Sequence, residues 1–293
     1  MPRRLFFGLL GARSAAVEGT AGLRMRLAAV LAVAVILGAA VEAARTENSE
    51  ITNRRAAQRV SFSNEEILSG FLKVAFGAEL QLDGHAERIR KFDEPVRVFV
   101  VDRGGDRGAA ARRAVISGVV ADIGARVGHL DIAVTNDRRA ANVTVMLVPS
   151  RDMHRTIVQR YGRAQAERIE QSLNPNCLSG IAKDPDFRIL RGEVLLPADA
   201  DEFGFFDCAY EEILQSLGPI NDDASVPWTM FNDEVQMGFF DLYDQYLLNI
   251  LYDPRVRPGM TKEEFSALAP ELLPDVRAFV ARIDQQARLT PPR

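Results

Sequence analysis

The residues of this chain best equipped for chemistry stand together in "CAYEEILQSLGPINDD", Cys208 to Asp223. Glu211 and Gln215 are four positions apart, so a helix places them on one face. Glu212 adjoins them, Gly218 follows as the turn residue, and Asn221 and Asp222 come just after it. Glu211, Gln215, Asn221 and Asp222 make an all-oxygen set, which suits a hard cation such as calcium or magnesium. Zinc is a poor match, because it favours imidazole, thiolate and carboxylate, and amide oxygens bind it weakly. The competing expectation needs no metal or other cofactor: Glu211 and Gln215 join a polar hydrogen-bonded network across the junction of helix and turn. Glu212 is the candidate catalytic residue, since burial that lifted its pKa towards neutrality would make it a general base. Its other reading is an exposed or ion-paired carboxylate near the start of the helix.

These residues need a frame, and the rest of the chain outlines one. With 293 residues, 47% hydrophobic and 26% charged, the composition is that of a globular protein. A net charge of -4, with Lys and Arg scattered singly, offers no basic face for a phosphate backbone, so nucleic acid is not an expected partner. The stretch "RGGDRGAAARR" lacks the spacing and the Lys-Ser/Thr of a phosphate loop.

From Met25 the chain reads "MRLAAVLAVAVILGAAVEAARTE", an arginine, an apolar run from Leu27 to Val41, and small residues before Ala44. This is the form of an export signal cut after Ala43. The run is shorter than the ~20 residues that span a bilayer comfortably, and an inner-membrane anchor through residues 27–41 is the alternative. Either way residues 1–44 are an extension plus signal or anchor, and the protein is expected in the periplasm or outside the cell. The only cysteines are Cys177 and Cys208, so no lipid-modified cysteine follows the signal. In an oxidising compartment that single pair is expected as a disulfide.

Residues 45–60 are polar and read as a tether. One domain is expected over 61–290. It opens on a helix capped by Ser63 and Glu66, followed by a strand at Pro95–Asp102, a helix near Gly108–Val127 and a strand at Ala141–Val148. A helix over Met153–Gln171 and a hairpin turning at Lys183–Asp186 lead into the helix of the opening stretch. Beyond residue 218 come an irregular segment, a helix over "FFDLYDQYLLNILY" in which Asp241 and Asp244 read as capping or solvated carboxylates, and a final helical stretch capped by Thr261 and Glu264. Interleaved strands and helices that give way to helices make an α+β domain with one mixed sheet.

Two resemblances sharpen this outline. Zinc peptidases of the extended H-E-x-x-H type place ligands, a base and a turn glycine at the spacing that Glu211, Glu212, Gln215, Gly218 and Asn221 occupy here. "SVPWTMFND" puts Met230 where the metzincins among them carry their methionine turn, and the order of strand, helix, strand, hairpin and helix is similar to their upper part. This resemblance implies a metzincin-like, or zincin-like, α+β fold whose zinc ligands are replaced. More narrowly, "YEEILQSLGPIND", "MFND" and "LLNILYDPRVRPGM" resemble an uncharacterised bacterial domain family of secreted proteins and predicted lipoproteins. The expectation is an exported cell-envelope protein without peptidase activity that holds an extended peptide or envelope component between an "EVLLP" edge strand and the quoted helix. The alternatives are a hydrolase using Glu212 with a nonstandard cation, and a purely structural envelope component.

Overall fold

Runs of β-branched residues at "VRVFVVD" and "VTVMLV" are too apolar for a sheet with a wet face, and helices cover both sides of the sheet they form. The computed structural model describes residues 48–77, 87–104, 108–173 and 176–289. The expected signal or anchor lies outside them, and no described helix is long and apolar enough to cross a membrane.

Among the described residues the strands are β1 (Val96–Asp102), β2 (Ile132–Val134), β3 (Val143–Val148), β4 (Leu178–Lys183) and β5 (Ile189–Pro197). They form one sheet in the order β2-β1-β3-β5-β4. β2, β1, β3 and β5 run parallel, and β4 returns antiparallel beside β5 with Leu178 opposite Leu195. The "EVLLP" segment expected at the sheet edge is therefore interior, paired to β3 on one side and β4 on the other. The edge is β4, because a hairpin that returns next to β3 places its first strand outermost.

The helices are α1 (Ser49–Ala57), α2 (Asn64–Phe76), α3 (Ala109–Arg126), α4 (Met153–Tyr161), α5 (Arg163–Leu173), α6 (Glu202–Gln215), α7 (Leu242–Leu251) and α8 (Lys262–Leu289). The sheet is mixed and the class α+β, as expected. α3 and α6 share the face with the larger core, where Val98, Val145 and Val194 meet Ile116, Ile123 and Ile213. α4 and α5 cover the other face with Met153, Ile157 and Ile169 against Met146 and Leu195.

Two local expectations need correcting, and one short strand was not foreseen. Residues 49–57, expected in a polar tether, are helical: Asn48 caps α1, Ile51 is buried, and Arg54 and Arg55 stack over Phe203 and Phe239. Polar composition hid this, since the long arginine stems do the packing. The single helix expected over Met153–Gln171 breaks at Gly162, whose φ of 80° ends α4 as its N–H reaches the Val158 carbonyl. β2 is only three residues long and too short to stand out in sequence. The capping boxes at Ser63/Glu66 and Thr261/Glu264 form as expected.

Candidate functional site

α6 starts where Asp201 accepts a hydrogen bond from the Gly204 N–H at 2.7 Å. Phe205, Ala209 and Ile213 bind it into the core, while Asp207, Glu211 and Gln215, one turn apart, line a stripe towards the segment that follows. The helix packs on β4 and β5, and a disulfide between Cys177 and Cys208 fastens it to the start of the edge strand across a Cα–Cα distance of 5.9 Å.

Gln215 is the hub of the site. Its amide nitrogen donates to both carboxylate oxygens of Asp222 at 3.0 Å, and its amide oxygen accepts from the Ser179 hydroxyl at 2.9 Å. One buried side chain thereby joins the edge strand, α6 and the loop beyond. Gly218 makes the return of the chain sterically feasible: its φ is 139°, and a Cβ there would stand 2.2 Å from the Arg90 carbonyl oxygen.

The turn brings Asp222 back to α6 but sends Asn221 elsewhere. The Asn221 amide donates to the Lys73 carbonyl at 3.0 Å and packs on Gly77, closing the C-terminal turn of α2. Of the oxygen set expected from sequence, the structure gathers Glu211, Gln215 and Asp222, and places Asn221 outside it. Asp233 takes part instead, with carboxylate oxygens of Glu211, Asp222 and Asp233 all within 4.8 Å of one another. Glu212 is buried, and its carboxylate and that of Glu211 approach the Cys177 sulfur to a similar distance. That sulfur is bonded to Cys208 and offers no thiolate.

The electrostatics follow from this crowding. Burial, then the negative charges of Glu212, Asp222, Asp207 and Asp233, push the Glu211 carboxyl well above the usual carboxylate range. Burial also raises Asp207, against the pull of two backbone N–H groups, Met237 at 2.7 Å and Gly238 at 3.0 Å, that donate to it.

Asp207 fixes one end of the 216–241 segment, and Asp244 fixes its middle. The Asp244 carboxylate accepts from the Met230 N–H at 2.9 Å and from the Thr229 hydroxyl. Met230 and Asp244 are both buried, so Asp244 is not the solvated or capping carboxylate expected; Asp241 alone caps α7. Trp228 is half-buried against Phe62, with the Arg59 guanidinium 4.5 Å from its ring centre. The residues that sequence reasoning missed are Ser179, Asp207 and Asp233, and Asp244 was misread. Only Asp207 carried a signal, as the position one turn before Glu211.

The donor set does not fit zinc. The amide at 215 is spent on Asp222 and Ser179, the amide at 221 faces away, and carboxylates alone remain. His129 is exposed, His154 pairs with Glu170, and His85 lies outside the described residues.

Fold and site together define an α+β domain with a mixed five-stranded sheet, a disulfide-fastened helix lined with acids, and a following segment held by aspartates. A family model described as "Protein of unknown function (DUF2927)" matches residues 64–271, and the chain belongs to that family. The expectation of an uncharacterised domain family is met to that extent. Comparison with curated proteins and comparison with solved structures each returned no match.

Proposed function

We propose that this protein is an exported cell-envelope domain with a zincin-like fold, in which the metal-binding positions have become a hydrogen-bonded clamp, and that it binds an extended peptide without cleaving it. The observation that carries this reading is the Ser179–Gln215–Asp222 bridge, which occupies the amide at the second-ligand position of the resemblance. The order β1, α3, β3, hairpin, α6 supports the zincin-like fold. The Cys177–Cys208 disulfide supports an oxidising compartment, hence export.

The binding surface in this reading is β4, which pairs with β5 alone among the described residues and offers its outer backbone groups to an added strand. Glu211, Asp222 and Asp233 stand beside it across the Ser179–Gln215 contact, so a peptide carrying lysine or arginine suits the surface best. The test is a titration of the purified domain with a lysine-containing extended octapeptide and with its backbone N-methylated copy. Binding that weakens about tenfold on N-methylation, with the peptide intact after long incubation, is the expected result, a factor worth one to two lost hydrogen bonds. Equal binding of the two peptides, or none, refutes it.

A second reading is favoured by one observation, the three clustered carboxylates. A calcium ion held by Glu211, Asp222 and Asp233 beside Glu212 would serve a hydrolase with Glu212 as base. Calcium-dependent cleavage of the octapeptide that Glu212→Gln abolishes would establish this reading in place of the first.

A further inference from the structure

The start of α7 carries two acids at positions where an ionised pair is costly. Asp241 and Asp244 are 3% and 0% exposed, one turn apart on the same helix. Asp241 Oδ1 accepts from the Asp244 N–H at 3.0 Å, whereas Asp241 Oδ2 is buried with no hydrogen-bond donor. Each oxygen of Asp244 accepts one hydrogen bond, Oδ1 from the Thr229 hydroxyl and Oδ2 from the Met230 N–H, and keeps a lone pair for a further donor. Each carboxyl acts on the other, and a proton on Asp241 Oδ2 would give that orphan oxygen a role as donor and leave the pair with one negative charge.

We infer that Asp241 and Asp244 act as a single-proton latch that holds the Thr229–Met230 turn, and through it the loop bearing Asp222 and Asp233, and that opens when both carboxyls ionise. The mechanical connection is direct. The loop closes on itself through Asp223 N–H to the Phe231 carbonyl at 3.0 Å and the Asn232 amide to the Val226 carbonyl at 3.1 Å. Asp244 on α7 accepts from it at residues 229 and 230. Ionising Asp241 would set a second charge against Asp244 in a site shielded from water, weakening the acceptor geometry that anchors the turn.

The influences on Asp241 are burial, the Asp244 carboxyl and backbone N–H groups of residues 243 and 244, with no cation among them. From the α2 side, Arg59 is paired with Glu66, and the Tyr243 hydroxyl donates to the Glu66 carbonyl. From α8, Arg277 donates to Asn64 and to the Phe62 carbonyl, and Asp284 adds negative charge near Tyr246. From α1, Arg55 stacks over Phe239, while neutral Gln58 accepts from the Leu242 N–H. Asp207 on α6 is engaged by residues 237 and 238. In keeping with this, burial and the Asp244 charge push Asp241 well above the usual carboxylate range.

The inference does not depend on what the protein binds. It is tested by amide hydrogen exchange at Met230 and Phe231, corrected for intrinsic rates, in a pH series that runs from the ordinary carboxylate range to the alkaline side. The fluorescence of Trp228, the sole tryptophan, two residues from Met230, follows the same turn. Wild-type protection should fall about tenfold towards the alkaline end, since a coupled pair of this kind interacts by at least about one pK unit. Asp241→Asn keeps a good cap for α7 and should hold protection and Trp228 emission constant across that range. Asp241→Ser serves in its place where the asparagine variant folds poorly. Wild-type protection that does not change with pH, or an equal change in the variant, overturns the latch.

Discussion

Replacing both cysteines, Cys177→Ala with Cys208→Ala, probes the frame of the site without touching its polar groups. The bridge joins residues 31 apart in sequence. In the chain-entropy picture, closing a loop of that length removes freedom from the unfolded chain worth about 3.7 kcal/mol at 25 °C. The native state loses little in exchange, because Cys208 is buried among apolar side chains where alanine is tolerated, and the Ser179–Gln215 hydrogen bond still ties β4 to α6. For a domain of this size each kcal/mol moves the melting point by about 2–4 °C, so the variant should melt about 7–15 °C below the parent under non-reducing conditions. The assay is calorimetry on both proteins, with and without reductant; reduction should bring the parent down to the variant. Amide exchange at Leu178–Gly180 should rise at the same time, since those residues begin the fastened edge strand. A variant melting within about 2 °C of the unreduced parent would refute the reasoning, because at 2–4 °C per kcal/mol it leaves the bridge worth at most about 1 kcal/mol.

Other perturbations test the site itself. Gly218→Ala should destabilise the domain by more than about 2 kcal/mol in urea titrations, because it adds strain at positive φ to a clash with the Arg90 carbonyl. Gln215→Ala removes the amide's bonds to the Asp222 carboxylate and the Ser179 hydroxyl; a loss of about 2–3 kcal/mol is expected by the same measurement. Because folding raises the Glu211 carboxyl, the native state binds that proton more tightly than the unfolded chain. Its contribution is therefore largest at low pH and fades as pH rises from the ordinary value of 4.5 through the raised native value. Glu211→Gln should flatten that fall, read as urea midpoints across the acid-to-neutral range. Asn221→Ala should cost about 1 kcal/mol by freeing the Lys73 carbonyl at the end of α2, and should leave calcium titrations of the acidic cluster unchanged.

Much of the frame was legible because its causes are local. Ser63 with Glu66 and Thr261 with Glu264 satisfy helix starts with partners three residues away. The strands at 96–102 and 143–148 show themselves by unbroken β-branched runs, and two cysteines allow only one intramolecular pairing. α1 was missed because its burial comes through arginine stems and one isoleucine, a pattern that looks like a polar linker. Asp244 was misjudged since its partners, Thr229 and Met230, belong to an irregular segment with no periodicity to align.

The spacing of Glu211, Gln215 and Gly218 is a property of the sequence alone, because helix periodicity and the need for positive φ act on neighbouring residues. Which oxygens then meet was decided only in three dimensions. Asn221 and Asp222 are adjacent in the chain, yet one closes α2 and the other reaches Gln215, as the backbone after Gly218 points consecutive side chains apart. Asp233 joins the cluster because Asp207 and Asp244 fold its loop back over α6. β4 became the edge because β5 found β3, a pairing between segments 49 residues apart at Val143 and Gly192 that no local pattern encodes.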